Sequence, residues 1–227
     1  MGFYVDQLAS FLAGEASWHV RPRIVVGHSF GGMLALSWLL SQSGGGPGPI
    51  DGLVLVATSA GPLFDRVRFR LGGVGSREWR LGLKRPLTAW NRPLVTQLVK
   101  AMTSGFADHV GRIDFGSLRR RTDLAVDLAG WRNTDWRAMR SFRFALAGFD
   151  VRDRLAEIMV PTIVIHGTRD LLFAVDVAED LAAGLPNADL RIVAGAGHAL
   201  PLTHGKEVVR AVHELSTREH PRFTIQH

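Results

Sequence analysis

A serine framed by glycines, Gly27-His28-Ser29-Phe30-Gly31, constrains this chain more than any other feature, because of what lies on either side of it. Arg23-Ile24-Val25-Val26 is short, apolar and β-branched and reads as a buried strand. Met33-Leu34-Ala35-Leu36-Ser37-Trp38-Leu39-Leu40, just beyond, reads as a helix. A chain that passes directly from strand to helix turns sharply, and its apex residue is strained, with the side chain held above the sheet. Strand and helix cross closely there, so side chains two positions either side of Ser29 are not expected to fit. That requirement accounts for Gly27 and Gly31, and Gly32 adds clearance. Glycine is common here, 25 of 227 residues, so an ordinary glycine-rich turn also matches the five letters. The flanking strand and helix give the pattern its meaning.

A serine hydroxyl at such an apex is a poor nucleophile without a base. Val160-Pro161-Thr162-Ile163-Val164-Ile165-His166-Gly167 reads as a second buried strand, closed by Thr168-Arg169-Asp170. Leu190-Arg191-Ile192-Val193 reads as another, followed by Ala194-Gly195-Ala196-Gly197-His198. Asp170 and His198 then lie just past the C-terminal ends of strands, the edge where open α/β sheets place their sites. In that arrangement Ser29 would attack, His198 would take and return the proton, and Asp170 would hold the imidazole tautomer. Ser29 begins the helix, so the N–H of Phe30 is expected to aim where the helix dipole favours negative charge, half of an oxyanion hole.

With these residues in place the chain resembles the α/β-hydrolase superfamily. The resemblance covers residues 20–61 and 150–215: the strand and nucleophile elbow, the strand Leu53–Ala57, the segment PTIVIHGTRD, and AGAGH with its closing helix. Asp6 to Phe11 is similar to the helix preceding the elbow strand. The order Ser29, Asp170, His198 is that of the superfamily. The resemblance implies an α/β fold with a mostly parallel sheet, strands near 23–27, 52–57, 161–166 and 190–194. It also implies a division into 1–61 and 150–227 as two parts of one core, with 62–149 as a helical cap. The implied activity is that of a serine hydrolase acting through an acyl-enzyme on a carboxylic ester or related acyl substrate. Thioester, lactone and C–C bond hydrolysis stay open. Ser29 argues against the related dehalogenases and epoxide hydrolases, which use an Asp at the elbow.

Other residues compete for these roles. His28 is expected to pack or hydrogen-bond near the turn, and His166, four residues before Asp170, to be a satisfied structural histidine. His204 reads as a surface or helix-capping residue, and Asp176 and Glu179 as the solvated face of a helix over 174–183. The nine His are scattered without metal-ligand spacing, so no metal and no cofactor is expected. Gly44-Gly45-Gly46-Pro47-Gly48-Pro49 lacks the Lys and Ser/Thr of a phosphate loop and reads as a flexible connection.

Charge is unevenly placed. Residues 62–143 carry 17 Lys and Arg against 7 Asp and Glu, and the rest 10 against 14. The same segment is rich in apolar positions; Leu87, Trp90, Leu94 and Leu98 share one helical face, as do Leu124 and Leu128. An amphipathic lid with a solvated basic side is the plain reading, and its apolar face suggests a hydrophobic acyl or aromatic substrate. Recruitment to anionic lipid, with Arg119-Arg120-Arg121 as the densest cluster, is the alternative; salt-sensitive binding to anionic but not neutral vesicles is its signature. No motif for nucleic acid accompanies the charge. No basic and apolar leader opens the chain and no apolar run reaches a membrane span, so a cytoplasmic enzyme is expected.

The departure from the family is before the elbow. Only 28 residues precede Ser29, with room for a helix near 5–14 but not for the earlier strands or the His-Gly loop that supplies the second oxyanion N–H. The elbow strand is therefore expected at a sheet edge, where an exposed edge invites pairing and oligomerisation. Met1 as an internal start is the expected explanation. A shortened, weakly active or non-catalytic homologue serving as a binding or assembly fragment is the other.

Overall fold

A computed structural model describes residues 1–15, 20–42, 50–62, 148–170 and 172–218. Nearly all of the expected cap 62–149 lies outside those residues, as do the glycine-rich connection and Arg119-Arg120-Arg121.

Four parallel strands form where apolar, β-branched runs were expected: β1 (Ile24–His28), β2 (Gly52–Val56), β3 (Thr162–Gly167) and β4 (Ala188–Val193), in the order β1-β2-β3-β4. Register runs Val25 to Leu53, Leu53 to Thr162, and Thr162 to Ala188. Strand limits differ by one or two residues from those expected, most at β4, which begins at Ala188 rather than near 190. The helices are α1 (Gly2–Gly14), α2 (Phe30–Ser41), α3 (Val175–Gly184), the short α4 (Leu200–Thr203) and α5 (Gly205–Thr217), with a 3₁₀ turn at Arg152–Glu157.

Alternation along the inner strands sorts the core into two layers. Leu53, Leu55 and Val164 face one side and pack with Met33, Leu36 and Leu40 of α2 and Ala178 and Leu181 of α3. Val54, Val56, Ile163 and Ile165 face the other, against Leu200, Ala211 and Leu215. A parallel strand covered on both faces has no polar side to show, hence the unbroken Gly52-Leu53-Val54-Leu55-Val56, buried at every position. Each fully buried Leu, Ile or Met among them stabilises the fold by roughly 1.5–3 kcal/mol relative to exposure. Helix α2 is apolar nearly all round, since α1 covers it from outside through Val5, Leu8 and Leu12.

Strand β1 has one neighbour among the described residues, and Val26 is 46% exposed, as expected for an edge. No described helix is long and apolar enough to cross a membrane. Because all four strands run the same way, the turns after β1, β2, β3 and β4 gather at one edge of the sheet.

Candidate active site

The turn after β1 holds Ser29 at φ 53° and ψ −121°, a conformation that L-residues rarely adopt, between strand and helix. It is held from three sides. Its N–H donates to Val56 O at 2.9 Å, extending the β1–β2 ladder, and its carbonyl accepts from Gly32 N–H at 3.0 Å and from Thr58 Oγ1–H at 2.6 Å. A Cβ on Gly27 would lie 2.6 Å from Gly32 Cα, so strand and helix touch backbone to backbone. A Cβ on Gly32 would lie 2.6 Å from both Oγ1 and Cγ2 of Thr58. Gly31 is different: no described atom comes within 4 Å of a Cβ there. The expectation that Gly27 and Gly31 form the space-limited pair is corrected to Gly27 and Gly32. Position 32 is one step further round the helix and faces the strands, whereas position 31 faces away from that crossing.

Asp170 follows β3 and is 1% exposed. Its Oδ1 accepts the N–H groups of Leu172 at 2.8 Å and Phe173 at 3.0 Å, leaving Oδ2 to accept from His198 Nδ1 at 2.9 Å. An ionised carboxylate only accepts, so the Nδ1 of His198 carries the hydrogen and Nε2 is left to accept. That Nε2 lies 2.9 Å from Ser29 Oγ. Burial alone pushes the Asp170 carboxyl up. The hydrogen bond and charge of His198, the Phe173 N–H and the nearby His166 outweigh it and hold the acid below the usual carboxylate range.

The turn carrying His198 approaches the end of β3 very closely. Arg169 N–H donates to Ala196 O at 2.8 Å and Gly195 N–H to Thr168 Oγ1 at 2.9 Å. A Cβ on Gly167 would lie 2.6 Å from the Ala196 carbonyl carbon, so only glycine leaves room for that turn. Phe30 opens α2, and its ring meets Tyr4 of α1 edge-on at 5.3 Å.

The three residues singled out in sequence are thus brought into one hydrogen-bonded chain from three separate turns. The competitors lie elsewhere or do other work. His166 is fully buried beside Asp170, with Nε2 3.1 Å from Phe173 O. His28 directs Nε2 to His198 O at 2.8 Å. Asp176 and Glu179 are exposed on α3. His204 is at the N-cap of α5, but its ring bonds Thr203 Oγ1 at 2.8 Å rather than capping. Among the described residues, no group of three His, Asp or Glu could hold a metal ion. Thr58 was not anticipated, although a hydroxyl two residues past a wholly apolar strand, at the edge where the other turns gather, is a legible signal.

A profile of the Alpha/beta hydrolase family matches residues 2–211. The chain belongs to that family. Among curated relatives, the biotin biosynthesis bifunctional protein BioHC of Teredinibacter turnerae is 25% identical over 234 residues, covering 97% of this chain and 36% of that protein. A 2-hydroxy-6-oxononadienedioate/2-hydroxy-6-oxononatrienedioate hydrolase of Cupriavidus pinatubonensis is 41% identical over 63 residues, 28% of this chain and 22% of that one. The chain thus matches well under two thirds of either relative's length. Among solved structures, an esterase from Exiguobacterium antarcticum superposes with a TM-score of 0.70 at 18% identity, covering 92% of this chain and 71% of the esterase. That likeness is one of fold, and it places this alpha/beta hydrolase among structures with the same layered sheet.

Proposed function

We propose that this alpha/beta hydrolase is a serine hydrolase that cleaves a carboxylic ester or related acyl substrate through an acyl-enzyme. The observation that carries the reading is the unbroken chain Ser29 Oγ, His198 Nε2, His198 Nδ1, Asp170 Oδ2, with 2.9 Å at each hydrogen bond, starting from a strained apex. Ser29 Oγ attacks the acyl carbon as its proton passes to His198 Nε2. The carbonyl oxygen becomes an oxyanion, which the Phe30 N–H and the positive end of α2 stabilise. Collapse expels the leaving group, which takes the proton from His198, and the acyl group remains on Ser29. Water then gives its proton to the same nitrogen and adds to the acyl carbon; collapse breaks the bond to Ser29 Oγ, which takes that proton from His198, and the acid is released with Ser29 and His198 restored. Asp170, ionised by its low pKa, keeps Nδ1 protonated and offsets the charge that His198 acquires twice per turnover.

Residues 1–61 and 150–227 form the core in this reading and 62–149 the cap, whose apolar positions favour a hydrophobic acyl or aromatic group. The relationship to a named hydrolase over 63 residues supports hydrolysis as the reaction class. A fluorophosphonate probe tests the assignment. Ser29 is expected to be labelled in the folded protein, and Ser29→Ala to abolish both labelling and ester turnover. Labelling that persists in Ser29→Ala would place the nucleophile elsewhere.

A further inference from the structure

We propose that His28 is a positioning residue, a clasp that holds the turn carrying His198 over Ser29; its catalytic consequence rests on the triad reading above. The need for a clasp follows from topology. Ser29 follows β1 and His198 follows β4, the two outermost strands of the order β1-β2-β3-β4. Three strand spacings separate them, about 14 Å at the usual spacing of neighbouring strands. Yet Ser29 Oγ and His198 Nε2 are 2.9 Å apart. The segment from Ala194 to His198 therefore arches back over the ends of β3 and β2.

Its near half is anchored at β3, where Arg169 N–H bonds Ala196 O and Thr168 Oγ1 accepts from Gly195 N–H. Those bonds fix residues 195 and 196 and leave His198 at the far end of the arch. There the end of β1 reaches back. A carbonyl only accepts, so His28 Nε2 bears the hydrogen and donates it to His198 O at 2.8 Å. The two imidazoles also lie 5.1 Å apart, centroid to centroid, at 43°. His28 is the chain neighbour of Ser29. One peptide unit thus carries the hydroxyl, and the residue before it holds the main chain of the group that must meet that hydroxyl. Any shift of β1 against β4 moves both together, so the Ser29–His198 separation is set locally instead of across the whole sheet.

The test compares His28→Phe, which keeps a ring and loses the donor, with His28→Gln, whose side-chain amide carries an N–H at a similar reach. In His28→Phe, kcat and the rate of fluorophosphonate labelling are expected to fall between about tenfold and a hundredfold, the cost of displacing a catalytic group by up to 1 Å, with KM little changed. Amide hydrogen exchange at residues 197–199 is expected to speed up in the same variant. His28→Gln should restore both rate and exchange protection. The idea is overturned if the Phe and Gln variants behave alike, or if exchange at 197–199 is unchanged in His28→Phe. Exchange reads the clasp whether or not the protein turns over an ester, and Ser29 labelling in the unsubstituted protein reads the triad, so the two readings fail separately.

Discussion

Gly167→Ala tests how closely the proposed reacting groups depend on one backbone contact. Gly167 ends β3, and an added Cβ would lie 2.6 Å from the carbonyl carbon of Ala196, closer still to its oxygen, and 3.0 Å from its Cβ. Ordinary carbon contacts begin near 3.5 Å, so the Ala196 peptide must retreat by about 0.9 Å. Neither side yields easily. Gly167 is held in the ladder opposite Val193, and Ala196 accepts from Arg169 N–H. Forcing them apart is expected to cost about 1–3 kcal/mol as overpacking, with up to about 1 kcal/mol more if the Arg169 bond breaks. His198 is two residues beyond Ala196 and travels with it. If His198 is the base, as proposed, displacing it by about 1 Å from its productive position costs about 10²-fold in rate. Stopped-flow labelling by a fluorophosphonate, read beside a thermal melt, is the assay. The expected result is a melting point lower by several degrees and a labelling rate lower by about two orders of magnitude in protein that is still folded. A variant that labels at the unsubstituted rate would overturn this account, since it would mean the 194–198 turn can give way without moving His198.

Gly31→Ala and Gly32→Ala, adjacent in sequence, should have opposite effects. The first adds a methyl where no described atom lies within 4 Å and is expected to leave stability unchanged or raise it by up to about 1 kcal/mol through helix propensity. The second drives a methyl into Thr58 and is expected to cost about 1–3 kcal/mol; denaturant midpoints in the reverse order would sink the assignment of the crossing to Gly27 and Gly32. Asp170, its pKa held below the unfolded value, contributes stability that is present above about pH 4 and is lost as pH falls through the folded pKa. The stability gap between the unsubstituted protein and Asp170→Asn should therefore narrow in acid; denaturation curves showing the same gap at pH 7 and pH 3 would contradict it.

What could be read from the letters was what local free energies write there. The apolar β-branched runs, the run from Met33 to Leu40 and the order Ser29, Asp170, His198 were legible because strand and helix formation respond to pattern over a few residues. The expected limits of β4 fell short by two residues because its partly exposed positions, Leu190 and Ile192 among them, lack the unbroken burial that marked β2. The five-residue pattern around Ser29 also suggested two spacer glycines of equal weight. Only one of them is pressed by its surroundings.

The fold class, the strand–turn–helix around Ser29 and the identity of the three side chains that meet can be read from the order of residues alone. That Gly32 rather than Gly31 makes room, that Thr58 grips the Ser29 carbonyl, that Gly167 admits the His198 turn and that His28 bonds the main chain of a residue 170 positions away are settled by packing. These are distances between segments remote in sequence. Whether a methyl fits, or a hydrogen bond closes, depends on tenths of an ångström set by how layers pack, and no local periodicity records that.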